Sequence, residues 1–191
     1  MAMSSVLTLK LPLAPSGDNS GDILELTFFN EQVDHVSAIE LLNAEAFGPA
    51  RFTRAAHLIR EVGGHDPDLS FVAMLGNRVI GTIRMTPIWI GDVPSYLLGP
   101  IVVANDFKSL GLGSKLMALA IEAAEKNACR LILLVGDEPY YRRFGFKTVL
   151  EGQMTMPAPV NPKRLLALEL ENGACQSASG IVRHRCVKNY S

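Results

Sequence analysis

Two clusters in this sequence have residue types and spacings able to do chemistry. The first, Lys108-Ser109-Leu110-Gly111-Leu112-Gly113-Ser114, places two glycines where an apolar run gives way to an amphipathic helix. The start of a helix leaves backbone N–H groups unpaired and concentrates about half a positive charge, and glycines let an anion approach the main chain. The segment therefore reads as a cradle for a phosphate. Leu116 breaks the G-x-G-x-x-G spacing of dinucleotide-binding folds, and no G-x-x-x-x-G-K-[ST] run occurs, so neither a Rossmann nor a P-loop site fits. Taken alone, the glycines also fit an ordinary turn ahead of a helix. The second cluster, Tyr140-Tyr141-Arg142-Arg143-Phe144-Gly145-Phe146, gathers aromatic and basic side chains at the end of a short helix. By itself it fits core packing as well as catalysis.

The elements that must position these clusters follow from the hydrophobic pattern. Ile23 to Phe29 alternates as a strand does, and Val33, Val36, Ile39, Leu42 and Phe47 recur at helical spacing. A second helix is expected from Thr53, as N-cap, to Val62, where Gly63-Gly64 stops it. Ser70–Leu75, Arg78–Ile90 and Tyr96–Val103 are rich in β-formers and are separated by Gly76-Asn77 and Gly91-Asp92, which predicts three antiparallel strands in succession. Gly99-Pro100 inside the third predicts a bulge or a parting of strands, because proline has no N–H for the ladder. The amphipathic run from Gly113 to Asn127 and the apolar run Leu131–Val135 complete a β-α-β unit whose strands should be parallel. A short helix through Phe144 ends at Gly145, strands are expected at Phe146–Leu150 and Leu165–Leu170, and Gly152–Pro162 reads as a loop. Asn172-Gly173 is expected to turn the chain into a hairpin with Ile181–Val187.

At 191 residues and 48% hydrophobic, the chain can bury the core of one compact domain. Residues 1–22, with Pro12, Pro15, Gly17 and Gly21, read as a flexible lead-in, and 23–191 as a single domain. A net charge of −1 without a basic block argues against nucleic acid as a partner. No run approaches the ~18 apolar residues of a membrane span, and no secretory leader is visible. Cys129, Cys175 and Cys186 form no C-x-x-C pair, which points to a reducing, cytoplasmic setting. His184 and Cys186 lack further ligands nearby, so no metal is expected.

The two clusters in this order, around one β-α-β unit, resemble the GNAT superfamily of N-acetyltransferases. Its CoA signature is [Q/R]-x-x-G-x-[G/A] at a helix start, followed by Y-x-x-x-G-F after the next strand. Lys108–Gly113 matches the first with lysine in place of Gln/Arg, and Tyr141–Phe146 matches the second. The run Leu134 to Phe146, with Leu98-Gly99-Pro100, looks like a bacterial branch of predicted N-acetyltransferases. The resemblance implies an α/β fold with a mixed, mostly antiparallel central sheet and a splayed parallel strand pair flanked by helices.

It also implies transfer of an acetyl group from acetyl-CoA directly to an amine. Backbone groups of Ile101, Val102 and Val103 would receive the pantetheine arm, with an N–H near Ile101 or Val102 polarising the thioester carbonyl. The backbone through Ser109, Leu110, Gly111, Leu112, Gly113 and Ser114 would hold the pyrophosphate, with Lys108 near a phosphate. Tyr141 would protonate the departing thiolate, its phenol, at about 10, still holding the proton at neutral pH. Among Glu45, Asp66, Asp68, Asp137 and Glu138 as bases, Asp137 is best placed, just past the central strand. The resemblance admits a homodimer. Also open are a catalytically inactive CoA-binding sensor or interaction domain, a longer acyl donor or hydroxyl acceptor, and a nucleotide-phosphate binder.

Overall fold

The computed structural model describes residues 7–12, 23–49 and 54–187. Its centre is the run of β-formers in the middle of the sequence. Phe71–Leu75 (β3), Arg78–Ile90 (β4) and Val93–Val103 (β5) follow one another in antiparallel register, turned at Gly76 and Gly91, which take φ of +53° and +55°. Only glycine enters that region without a steric penalty, so these two residues set the hairpin geometry. Ile23–Asn30 (β2) pairs with β3, and Leu7–Pro12 (β1) pairs with β2 at the edge. The strand β1 lies inside the segment expected to be a flexible lead-in; residues 1–6 and 13–22 lie outside the described residues. Its alternation, Leu7-Thr8-Leu9-Lys10, was masked in the sequence by the Pro- and Gly-rich stretch that follows.

Beyond β5 the chain crosses through Leu112–Lys126 (α3) and returns as Leu131–Val135 (β6), parallel to β5. Leu165–Glu169 (β9) pairs antiparallel with β6, and Lys147–Thr148 (β7) pairs with β9 at the other edge. The path through the ten-stranded sheet is β1-β2-β3-β4-β5-β6-β9-β7, where Met154–Thr155 (β8) and Gly180–His184 (β10) stand off this path. The mostly antiparallel sheet with its parallel β5–β6 pair matches the expected fold class.

Helix α3 covers the sheet face that carries Gly81 and Ile83, where Leu116 comes within 3.1 Å of the place a Cβ on Gly81 would take. Strand alternation puts Arg84 on the opposite face, where it meets Glu40 of Val36–Phe47 (α1). Ala55–Val62 (α2) adds Ile59 to a second apolar cluster with Ile88, Leu97, Leu133 and Val182. Each fully buried Leu or Ile contributes about 1.5–3 kcal/mol, so this cluster and the first, to which Ile83, Leu116 and Ile132 belong, fix the sheet between the helices.

Three expectations near the C-terminus fail. Residues 146–150 contribute only the two-residue β7. The loop 152–162 contains β8, which pairs parallel with β10. Asn172-Gly173 leads into Ala174–Ser177 (α5) instead of a hairpin, and β10 pairs with Ile88–Ile90 of β4. The reason lies in length: β3 covers only the first part of β4, which leaves the edge at Ile88–Ile90 for β10 to pair with. The expected N-cap Thr53 lies outside the described residues, and α2 opens after Arg54. No helix of the described residues is long and apolar enough to cross a membrane.

Candidate active site

Strands β5 and β6 form a fork. They pair only at Tyr96↔Ile132 and Leu97↔Leu133, while β5 runs on to Val103 against β4. The parting coincides with a register shift in β4 between Ile83 and Met85 and with Gly99, at φ +112°, followed by Pro100. The Ala104 N–H donates to the Ile80 carbonyl at 2.8 Å, and this fixes the phase of the β4–β5 ladder. Alternation then turns the N–H and C=O of Val102 toward β4, and those of Ile101 and Val103 toward the gap. Pro100 would face β4 next and has no N–H to give. Of the three backbone positions expected to meet a ligand, Val102 is therefore engaged within the sheet, and Ile101 and Val103 are open.

The cradle sits at the mouth of the fork. Gly111 is the N-cap of α3 at φ +77°, and Ser109, unusually for a non-glycine residue, also has a positive φ of +68°. The first α3 amide paired within the helix is that of Lys115, to Gly111 O at 3.0 Å, so the N–H groups of Leu112, Gly113 and Ser114 point outward. Leu112 is buried and anchors this turn, whereas Lys108, Ser109 and Leu110 are exposed.

Tyr140 and Tyr141 close the far side. They lie on Glu138–Tyr141 (α4), whose start is favoured by Pro139 in its first turn and whose exit is turned by Gly145 at φ +89°. Their rings meet edge-on at 4.9 Å, and Tyr141 makes a second edge contact with Phe146 at 6.0 Å. The Tyr140 hydroxyl lies 3.1 Å from where a Cβ on Gly113 would be, with Val103 Cγ2 at 3.9 Å and Ile101 Cδ1 at 4.0 Å. The Tyr140 hydroxyl and the Ile101 and Val103 side chains thus pack against the first turn of α3 at one glycine. Sequence reasoning assigned no role to Tyr140; its only signal was the doubled tyrosine ahead of the Y-x-x-x-G-F match.

The Tyr141 ring lies across Gly136 at the end of β6, in space that a Cβ would occupy. Burial, with the neighbouring Tyr140 and Asp137 adding to it, pushes its phenol up to about 12. The hydroxyl therefore keeps its proton throughout the neutral range. Gly136→Ala should displace this ring at a stability loss of roughly 1–3 kcal/mol from overpacking. Thermal unfolding checks this, and an unchanged Tm would show that the ring's seat is unimportant.

The candidate bases scatter. Asp137 is exposed and pairs with Arg164 at 3.1 Å, and Glu138 pairs with Arg142. Asp66 accepts from the Tyr96 hydroxyl at 2.8 Å, and Glu45 and Asp68 are exposed. The guanidinium of Arg143 stacks over Tyr140 at 4.2 Å, which brings a positive charge to the mouth of the fork. The Cys129 thiol is pushed up by burial and lies near the Leu131 carbonyl, away from the fork. Among the described residues no group of three His, Cys, Asp or Glu could hold a metal ion. A cleft of about 810 Å³ opens between Asn30–Val36 and the C-terminal half of α3, on which neither tyrosine borders.

The family model of the acetyltransferase (GNAT) family matches residues 36–146, more than half of the chain and both clusters. An N-acetyltransferase of Escherichia coli K12, YjhQ, is 27% identical over 140 residues, covering 70% of this chain and 75% of the relative. The crystal structure of a GNAT family acetyltransferase from Brucella melitensis in complex with acetyl-CoA is similar at a TM-score of 0.56 and 27% identity, over 75% of this chain and 96% of that one. The E. coli GNAT family N-acetyltransferase YhbS, solved in complex with CoA, shares the fold at a TM-score of 0.73 and 20% identity, over 88% of this chain and 94% of that one.

Proposed function

The chain belongs to the acetyltransferase (GNAT) family, and from that premise we propose that it transfers an acetyl group from acetyl-CoA directly to an amine, with Tyr141 as the general acid. The observation that carries this reading is a helix start with free N–H groups beside the open stretch of β5, with Tyr140 packed on Gly113 and Tyr141 against Tyr140. In this reading the N–H groups of Leu112, Gly113 and Ser114 receive the pyrophosphate, and Ile101 and Val103 present the N–H and C=O that receive the pantetheine amides.

Acetyl-CoA supplies the acyl group in activated form. The Ile101 N–H, facing the gap, donates to the thioester oxygen as it gains charge. Tyr141 holds its proton at Oη for the sulfur; with the phenol near 12 and a solvated thiol near ~8.5 the transfer is uphill, and it needs a sulfur that is itself held out of water, which raises its basicity. The half-buried position of Tyr141 behind Tyr140 is consistent with that requirement. No cysteine lies at the fork, which supports direct transfer without an acyl-enzyme.

Thiol release from acetyl-CoA, measured across amino acids, polyamines, aminoglycosides and peptide N-termini, tests the reading. Release that depends on one class of amine is the expected result. Measured CoA binding with no amine-dependent release would overturn it in favour of a CoA sensor.

A further inference from the structure

We propose that Arg60 is the anion anchor of the acceptor site, and that the acceptor is an amine carrying a carboxylate; this rests on the acetyl-transfer reading above. Arg60 lies in the last turn of α2, and a terminal nitrogen of its guanidinium stands 3.3 Å from where a Cβ on Gly99 would be. Gly99 is the residue at which β5 leaves β6, two positions before Ile101. The guanidinium thus reaches the apex of the fork, on the side away from the α3 cradle, and the missing side chain at position 99 leaves room for it.

Its neighbour Arg84 shows what a satisfied guanidinium looks like in this protein. Arg84 donates to Glu31 through Nε at 2.8 Å and a terminal nitrogen at 2.6 Å, and to Glu40 at 3.0 Å. Arg60 has no such partner: its Nε is buried without a hydrogen bond, and no carboxylate of the described residues pairs with it. Burial, with repulsion from Arg84, lowers it to about 10, which still leaves it charged at neutral pH. Arg60 is half-buried, and a guanidinium partly removed from water with nothing opposite carries a cost. A ligand carboxylate at the fork would offset that cost, and the planar guanidinium fits its two oxygens. The same charge repels a second ammonium, so the site disfavours polyamines.

The experiment compares thiol release from acetyl-CoA with the twenty amino acids, with their amides, with putrescine and spermidine, and with phosphoethanolamine, in wild type and Arg60→Gln. The expected result is kcat/KM at least about tenfold higher for an amino acid than for its amide. Arg60→Gln should abolish that preference by raising KM for the acid about tenfold to a hundredfold while the Kd for CoA holds. Equal rates on acid and amide, a preference that survives Arg60→Gln, or faster reaction with phosphoethanolamine than with any amino acid would overturn the proposal and leave acetyl transfer standing. If no amine reacts, acetyl transfer fails and calorimetry decides the anchor. N-acetyl amino acids titrated into CoA-loaded protein should then bind at least about tenfold more weakly to Arg60→Gln. Absence of binding, or equal binding to both proteins, would overturn it.

Discussion

Tyr141→Phe is expected to lower kcat about a hundredfold while the KM for acetyl-CoA stays within about twofold, the scale of a lost general acid. The substitution removes one oxygen and leaves the ring on Gly136 and against Phe146. No side chain of the described residues hydrogen-bonds to that oxygen, so the fold should lose less than about 1 kcal/mol. Because the phenol sits near 12, its deprotonation cannot produce a fall in rate below about pH 11. Any alkaline limb of the wild-type profile at lower pH therefore belongs to another group and should survive in Tyr141→Phe. Parallel losses of turnover and CoA affinity would mean that the tyrosine shapes the pocket instead of donating a proton. An unchanged kcat would remove it from the mechanism.

The largest stability effect is expected at Glu31→Gln. Glu31 is buried at the end of β2, where its carboxylate accepts from Arg84 and lies 3.2 Å from His65. Burial alone would raise its pKa; hydrogen bonds from His65 and Arg84 outweigh this and hold it at about 2, against an ordinary 4.5. A carboxylate depressed in the folded state contributes stability that is complete above its unfolded value and is lost as pH falls toward its folded one. The contribution is about 3 kcal/mol at neutral pH, and it fades between pH 4.5 and 2. Glu31→Gln should lose that amount at pH 7, a fall in Tm of roughly 6–12 °C, and should show a flatter acid limb in that window. Denaturant unfolding at pH 7 and at pH 3 measures both. A variant as stable as wild type at pH 7 would show that Glu40 alone satisfies Arg84.

The central part of this architecture was legible in the sequence because its signals are local. Gly76-Asn77 and Gly91-Asp92 mark hairpins by backbone chemistry, and Gly99-Pro100 marks the parting of β5 from β6 because a proline has no ladder donor. The start of α3 and the short helix carrying Tyr141 were likewise legible as structure, since each signal is contiguous in the chain. What failed was long-range. The destination of β10 depends on β3 being too short to cover β4, which no pattern around Asn172-Gly173 encodes. The distinction between Val102 and its neighbours depends on the phase of a ladder set by Ala104 and Ile80. Arg60 reads as one more charge on an amphipathic helix until its proximity to Gly99 is seen.

The pairing of β10 with β4 has a consequence for how the protein is made. Until residues 180–184 leave the ribosome, β4 presents a bare edge at Ile88–Ile90, and the ring of His184 is absent from the face of Gly63 at the end of α2. The nascent chain therefore carries an open, apolar template for strand addition throughout the synthesis of α3, β6 and β9.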